Sequence, residues 1–181
     1  MVGLEHIGKR SDKGAPILSD ISLNLEPGGF CFLTGASGAG KTALLRIIQL
    51  AELPSDGRLT LFGTDTATLD RQARGGLRRR IGIIFQDLRL VDRLSAGDNL
   101  ALPLRIAGTP EPQIRDNVRE LLAWVGLADR AEAPAATLSD TDRRWIAVAR
   151  AVARRPELVI ADEPAGNADD ETAQLLIRAF E

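Results

Sequence analysis

Eight residues constrain this chain more than any other stretch: Gly35-Ala36-Ser37-Gly38-Ala39-Gly40-Lys41-Thr42. They follow a short apolar run, Phe30 to Thr34, which fits a buried parallel strand. They lead into Thr42 to Leu50 (TALLRIIQL), whose apolar residues recur at helical spacing. Strand, glycine-rich turn and helix in that order make a phosphate cradle of the G-x-x-x-x-G-K-[ST] type. Successive backbone N–H groups must curl around phosphate oxygens, and side chains would block that approach, so glycine is needed. The helix that follows offers its positive N-terminus to the same anion. In this pattern Lys41 reaches the β- and γ-phosphates and the Thr42 hydroxyl ligates Mg²⁺. The bland alternative is a glycine-rich strand–helix turn with an accidental lysine. Lysine is scarce here, with Lys9, Lys13 and Lys41 the only ones among 23 cationic residues, which weighs against accident.

Such a cradle needs an acidic partner on a neighbouring strand. Leu158-Val159-Ile160-Ala161 reads as a buried strand and ends in Asp162-Glu163. Asp162 is placed to hold Mg²⁺ through water, and Glu163 to orient or deprotonate an attacking water. Two solvated acids at a strand end are the competing reading.

Composition narrows the setting. The 181 residues are 44% hydrophobic and 27% charged, an ordinary globular balance for about one domain. No run approaches the ~18 apolar residues that a spanning helix needs, and the first thirty residues lack the signature of a signal peptide. One cysteine, Cys31, cannot form an internal disulfide, which suits a cytosolic protein, and it reads as a small core residue. A net charge of −2 and an aromatic content of 4%, with no tyrosine, argue against a nucleic-acid partner.

The pattern alternates between strand and helix. Leu18 to Leu25 alternates as a half-buried strand, Arg58 to Phe62 reads as an edge strand, and Ile81 to Phe85 as a second buried strand. Pro110 to Gly126 carries Ile114, Val118, Leu121, Leu122 and Val125 at three- and four-residue spacing, one amphipathic helix. Ser139 to Arg155 is another, opened by Ser139 with Asp142 three places later, and followed by Pro156. A last helix starts near Asp170. Strand signals thus hold both ends and helices the middle. The expected fold is α/β, a single nucleotide-binding domain over 1–181, with its core at about 1–87 and 156–181 and an inserted helical subdomain at about 88–155.

Four segments together resemble the ATP-binding-cassette ATPases: the phosphate loop, Phe85-Gln86-Asp87, the helix start from Leu138 to Ala151, and Ala161 to Asp169 (ADEPAGNAD). A closer resemblance, to the FtsE family of bacterial cell-division ATP-binding proteins, is carried by Leu4-Glu5-His6-Ile7, Phe32 to Lys41 (FLTGASGAGK), Ile81 to Asp87 (IGIIFQD), Pro103 to Gly108 (PLRIAG), Val125-Gly126-Leu127 and Ala161 to Asn167 (ADEPAGN). The resemblance implies a P-loop NTPase fold, ATP with Mg²⁺, and a homodimer that sandwiches two ATP molecules. It also implies an integral membrane partner of the FtsX type and a peripheral location on the cytoplasmic face of the inner membrane. It makes Gln86 a residue that touches Mg²⁺ and the attacking water, and Asn167 and Asp169 part of a loop that crosses to the other subunit.

Three departures stand against it. Where the family's signature loop has two glycines, this chain has Leu138-Ser139-Asp140-Thr141-Asp142. Asp140 sets a carboxylate beside the γ-phosphate of the opposite subunit, and like charges at 4 Å cost about 1 kcal/mol in water and about 4 at an effective dielectric near 20. Ser139 and Asp142 as a simple helix cap are the alternative. Ser11 stands where the family stacks an aromatic on adenine. The family's switch histidine lies on a strand beyond the loop of Asn167 and Asp169, and the chain ends at Glu181, which reads as a C-terminal truncation with an exposed sheet edge. The one histidine, His6, reads as structural.

Smaller features carry less. Arg78-Arg79-Arg80 suits either a solvated charge run or lipid headgroups. By the resemblance, Asp87 to Leu104 receives a short helix of the membrane partner; packing between subdomains is the alternative. Trp124 reads as core and Trp145 as surface. Three rival functions stay open: a nucleotide-binding scaffold that hardly hydrolyses, an ATPase of a lipoprotein-release or export system, and a small-molecule P-loop kinase, which the Gln86 and Asp162-Glu163-Pro164 contexts oppose.

Overall fold

The computed structural model describes residues 1–164. The chain divides into two compact units, one spanning Met1–Arg79 and the other beginning at Arg80.

The first unit is built on an antiparallel sheet of β1 (Val2–Arg10), β2 (Pro16–Leu25), β3 (Asp56–Leu61) and β4 (Thr64–Asp65), in the order β2-β1-β3-β4. Register explains which face is buried. Val2 opposes Leu25 on one side and Leu61 on the other, and Leu4 opposes Leu23 and Leu59. The two-residue period of a strand therefore gathers these side chains, and Val2, Leu4, Leu59 and Leu61 are all buried. The ladder slips between Leu4 and Ile7, where His6 adopts a φ of 51°. That bulge turns the exposed His6 ring outward, where its Nδ1 lies 2.6 Å from Asp20 Oδ1. Helices α1 (Lys41–Ile48) and α2 (Arg71–Arg78) complete the unit, and α1 buries Leu44, Ile47 and Ile48.

Two expectations fail here. Arg58 to Phe62 was expected as an edge strand, but β3 is interior, flanked by β1 and the two-residue β4. Phe30 to Thr34 was expected as a buried parallel strand and forms none. Phe30, Phe32 and Leu33 are exposed, and so is Cys31, which is therefore no core residue. An apolar run becomes a strand only when a neighbour completes its hydrogen-bond ladder, and no strand among the described residues pairs with this one.

The second unit pairs β5 (Ile81–Ile84) with β6 (Leu158–Ala161) in parallel, from Ile81 opposite Leu158 to Ile84 opposite Ala161. Three helices fill the interval: α3 (Ala96–Ile106), α4 (Glu111–Trp124) and α5 (Asp140–Val152). Leu100 of α3, Leu122 of α4, and Ile146 and Ala149 of α5 share one buried cluster with Leu127 and Leu138. Val148 and Ala151 turn the other way from α5, onto Ile84. The backbone of α5 lies directly on β5. A Cβ at Gly82 would stand 2.4 Å from the Ala151 carbonyl oxygen, so only glycine permits this approach.

The tryptophans exchange their expected places. Trp124 is 51% exposed, because α4 turns Ile114 and Leu122 inward. Trp145 is half-buried and packs against both clusters at once.

Asn99 is fully buried in α3 and went unnoticed in the sequence. Its Oδ1 accepts from the Val91 N–H at 2.8 Å, and its Nδ2 donates to the carbonyls of Val91 at 3.1 Å and Ser95 at 3.0 Å. It closes the loop that leads from β5 to α3. Asn99→Ala takes the partner from the Val91 N–H, while the Val91 and Ser95 carbonyls keep the N–H groups of Leu94 and residue 99, and is expected to cost about 1–3 kcal/mol of stability. The fall in urea midpoint measures it; a loss below about 0.5 kcal/mol would mean that water satisfies the loop instead.

Candidate functional site

The phosphate loop lies in the first unit. Its glycines take the backbone where other residues go with difficulty: φ is 80° at Gly38 and 90° at Gly40. Gly40 has a second reason to lack a side chain. A Cβ there would stand 2.7 Å from Leu18 Cδ2, pressing the loop off β2. Gly40 also begins α1, so Lys41 is that helix's first residue.

A cation at this end of a helix is set against the helix dipole, which favours anions. The loop answers the charge with its own carbonyls: Lys41 Nζ donates to the oxygens of Gly35 at 2.9 Å and Ala36 at 3.0 Å. Ala39 N–H donates to the Ala36 carbonyl at 3.2 Å and closes the turn between them. Gly35, Ala36, Ser37, Gly38, Ala39 and Thr42 are exposed, and Lys41 and Gly40 are half-buried. The loop thus combines an ammonium group, glycine-rich backbone and a helix N-terminus, the donor set that suits a polyphosphate.

The second unit carries the acids, and their placement follows from register. Ile84 opposes Ala161 at the carboxyl ends of two parallel strands. The ladder extends one step further, as Asp162 N–H donates to the Ile84 carbonyl at 3.0 Å. Gln86 and Glu163 each lie two residues beyond the last aligned pair. Their side chains meet: Gln86 Nε2 donates to Glu163 Oε2 at 3.0 Å. Carboxyl ends of parallel strands are where α/β sheets assemble their sites. Both residues are exposed. Glu163 sits at a φ of 48°, a left-handed conformation that non-glycine residues rarely adopt.

The signature-like loop is also in this unit. Ser139 caps α5, its Oγ accepting from the Asp142 N–H at 3.1 Å. Asp140 and Asp142 occupy the first helical turn, where the dipole favours carboxylates, and Asp140 and Thr141 are exposed. Asn167 and Asp169 lie outside the described residues. Ser11 is engaged locally, its Oγ accepting from the Ala15 N–H at 3.2 Å. Of the Arg78–Arg80 run, Arg80 faces Glu157, with Nη2 2.6 Å from Oε2. That hydrogen bond holds the Glu157 carboxyl below the usual carboxylate range.

Two residues escaped the sequence reading. Arg150 interrupts an apolar stretch of α5, and that lone charge was the available signal. Its guanidinium donates through Nη1 to the Arg89 carbonyl at 2.6 Å and through Nη2 to the Leu88 carbonyl at 2.5 Å. Burial pushes its pKa below the ordinary arginine value. Arg144, half-buried, donates through Nη1 to the Pro164 carbonyl at 3.2 Å.

The family model described as ABC transporter matches residues 18–166. The chain belongs to that family and is an ATP-binding-cassette subunit with the P-loop NTPase fold. It is 40% identical to the cell division ATP-binding protein FtsE of Escherichia coli K12, over all of this chain and 82% of that protein. It is also 40% identical to the lipoprotein-releasing system ATP-binding protein LolD of Bordetella pertussis, over 93% of this chain and 75% of that one. Among solved structures, a dimeric ATP-binding cassette in a post-hydrolysis state, bound to ADP and Pi, superposes with a TM-score of 0.89 at 29% identity. That match covers 98% of this chain and 80% of the other. Among the described residues, no helix is long and apolar enough to cross a membrane.

Proposed function

We propose that this chain binds and hydrolyses MgATP as the ATP-binding subunit of an FtsE/FtsX-like complex at the inner membrane, acting in cell division. The carrying observation is Lys41 at the first position of α1, held by the Gly35 and Ala36 carbonyls. A cation seated against a helix dipole is explained by an anion that joins it.

Each residue then has a task. The loop from Gly35 to Thr42 wraps the phosphates, and Lys41 moves from carbonyl oxygens to phosphate oxygens. Thr42, Gln86 and Asp162 are the residues that would hold Mg²⁺, which when bound would supply positive charge to offset that developing on the phosphate oxygens. Gln86 and Glu163, joined at 3.0 Å, would orient the attacking water. The water oxygen bonds to the γ-phosphorus, the bond to the β–γ bridging oxygen breaks, and Glu163 accepts the water's proton. ADP and phosphate leave. Two copies close over two nucleotides, and the closure drives an integral membrane partner of the FtsX type.

Identity to FtsE over the whole chain supports the cell-division setting. Equal identity to LolD over 93% of the chain supports a lipoprotein-releasing setting as the second reading. Affinity purification of the tagged full chain from detergent-solubilised host membranes separates them. An FtsX-like protein in the eluate confirms the first reading and a lipoprotein-releasing permease confirms the second. Self-association is tested on Glu163→Gln by light scattering: the mass should double with MgATP, and an unchanged mass would remove the sandwich.

The carboxylates at the start of α5 favour a third reading, a nucleotide-binding scaffold. In the ATPase reading, Asp140→Gly with Thr141→Gly relieves about 1 kcal/mol of water-screened repulsion, roughly a fivefold gain in phosphate release. In the scaffold reading the same two changes also raise activity only modestly from a baseline no faster than Glu163→Gln, and full rescue by them would contradict it.

A further inference from the structure

The main chain at Glu163 and just past Gln86 takes conformations that non-glycine residues rarely adopt. Glu163 itself has a φ of 48°, and Leu88 and Arg89, just past Gln86, have φ of 56° and 49° in succession. Such conformations persist where the surroundings over-determine them. The restraints around Gln86 are visible. Leu88 N–H donates to the Phe85 carbonyl at 2.9 Å and Arg89 N–H to the Asp87 carbonyl at 2.6 Å. Arg89 lies 4.0 Å over the Phe85 ring, and its Nε donates to Asp87 Oδ1 at 3.1 Å. All of these are local to the turn. Arg150 adds two bonds from outside the turn, to the Leu88 and Arg89 carbonyls. On the other strand, Arg144 reaches the Pro164 carbonyl, one residue past Glu163.

Both arginines stand on α5, and α5 is itself fixed to β5 by the Gly82 contact and by Val148 and Ala151 on Ile84. We infer that Arg144 and Arg150 are positioning residues for hydrolysis, holding the segments that carry Glu163 and Gln86 in register from a single helix. The inference rests on the ATPase reading for the chemistry. Neither arginine touches nucleotide or water in this scheme. They act through backbone carbonyls, so they set where the Gln86–Glu163 pair stands and not how tightly phosphate is held. The helix that carries them opens with Ser139 to Asp142, so any displacement of α5 reaches both reacting residues together.

The two arginines should differ in their tolerance of lysine. Arg150 uses both arms of its planar fork on two carbonyls, which one ammonium serves poorly, whereas Arg144 uses a single arm on Pro164. The experiment uses the full chain with Arg144→Ala, Arg144→Lys, Arg150→Ala and Arg150→Lys, and reads three quantities. Amide hydrogen exchange reports on Asp162 and Glu163 and on Leu88 and Arg89. Phosphate release gives kcat and KM. A fluorescent ATP analogue gives nucleotide affinity.

Arg144→Ala should speed exchange at Asp162 and Glu163 and lower kcat by about 10- to 100-fold, the scale of a small misplacement of reacting groups, with affinity held within threefold. Arg144→Lys should recover most of the rate. Arg150→Lys should recover less, with faster exchange at Leu88 and Arg89. Should Arg150→Ala fail to fold, the lysine variant and both Arg144 variants still decide. Unchanged exchange at these amides would overturn the inference, and so would faster exchange with unchanged kcat. If the unsubstituted chain releases no phosphate, the ATPase reading falls and exchange alone decides: acceleration confined to these segments upholds the restraint, and none removes it.

Discussion

Lys41→Ala is expected to weaken MgATP binding by at least about 100-fold, with little change in thermal stability. The two parts of this result have separate origins. Lys41 Nζ now donates to the Gly35 and Ala36 carbonyls at 2.9 and 3.0 Å. In the nucleotide complex the same ammonium faces phosphate oxygens, and charge-assisted hydrogen bonds of this kind contribute about 1.5–3 kcal/mol each. Two of them amount to roughly 3–6 kcal/mol, or two to four decades in affinity. Stability changes little because the lost ammonium opposes the dipole of α1, and the two carbonyls it leaves lie in a loop of exposed residues open to water. Isothermal titration with MgATP, together with a melting curve, checks both. Undiminished affinity would separate Lys41 from phosphate, and a collapse of the melting temperature would make it a structural residue.

Glu163→Gln is expected to give the reverse pattern: affinity within about threefold of the parent and turnover lower by about 10²- to 10⁴-fold. The substitution suits this geometry. Gln86 Nε2 donates to Glu163 Oε2, and the glutamine amide oxygen can accept the same bond. The side chain therefore keeps its place while losing the group that takes a proton. Single-turnover chemistry with radiolabelled ATP reads the loss without interference from product release. Undiminished turnover would remove Glu163 as the base and leave water activation to another group. A parallel loss of binding would mean that the carboxylate is needed to assemble the site.

Much of the candidate site could be read from residue order, because the chemistry proposed for it rests on short contiguous motifs. The phosphate loop, the Gln86 turn and Asp162-Glu163 each announce themselves within a few residues, and parallel register does the rest. The side-chain contact of Gln86 with Glu163 follows once Ile84 opposes Ala161. Features that depend on a partner distant in sequence were not legible. Phe30 to Thr34 has the composition of a strand, but pairing is decided by what lies alongside. The tryptophans were misplaced because helical spacing identifies an apolar face without saying how wide it is. Trp124 sits beyond the face defined by Ile114 and Leu122, while Trp145 bridges two clusters. Helix α3 was missed because Pro103 reads as a breaker, and α2 because Gly75 and Gly76 lower its propensity. Arg144 and Arg150 act on carbonyl groups, and a carbonyl is the same at every position, so no pattern of side chains reveals the partner.

The ATPase reading meets its most direct test in phosphate release from MgATP by the 181-residue chain, with Glu163→Gln as the blank. Steady release above that blank, abolished in Lys41→Ala, is the expected result. Release no faster than the blank, with MgATP still bound, would contradict hydrolysis and leave a nucleotide-binding scaffold in its place.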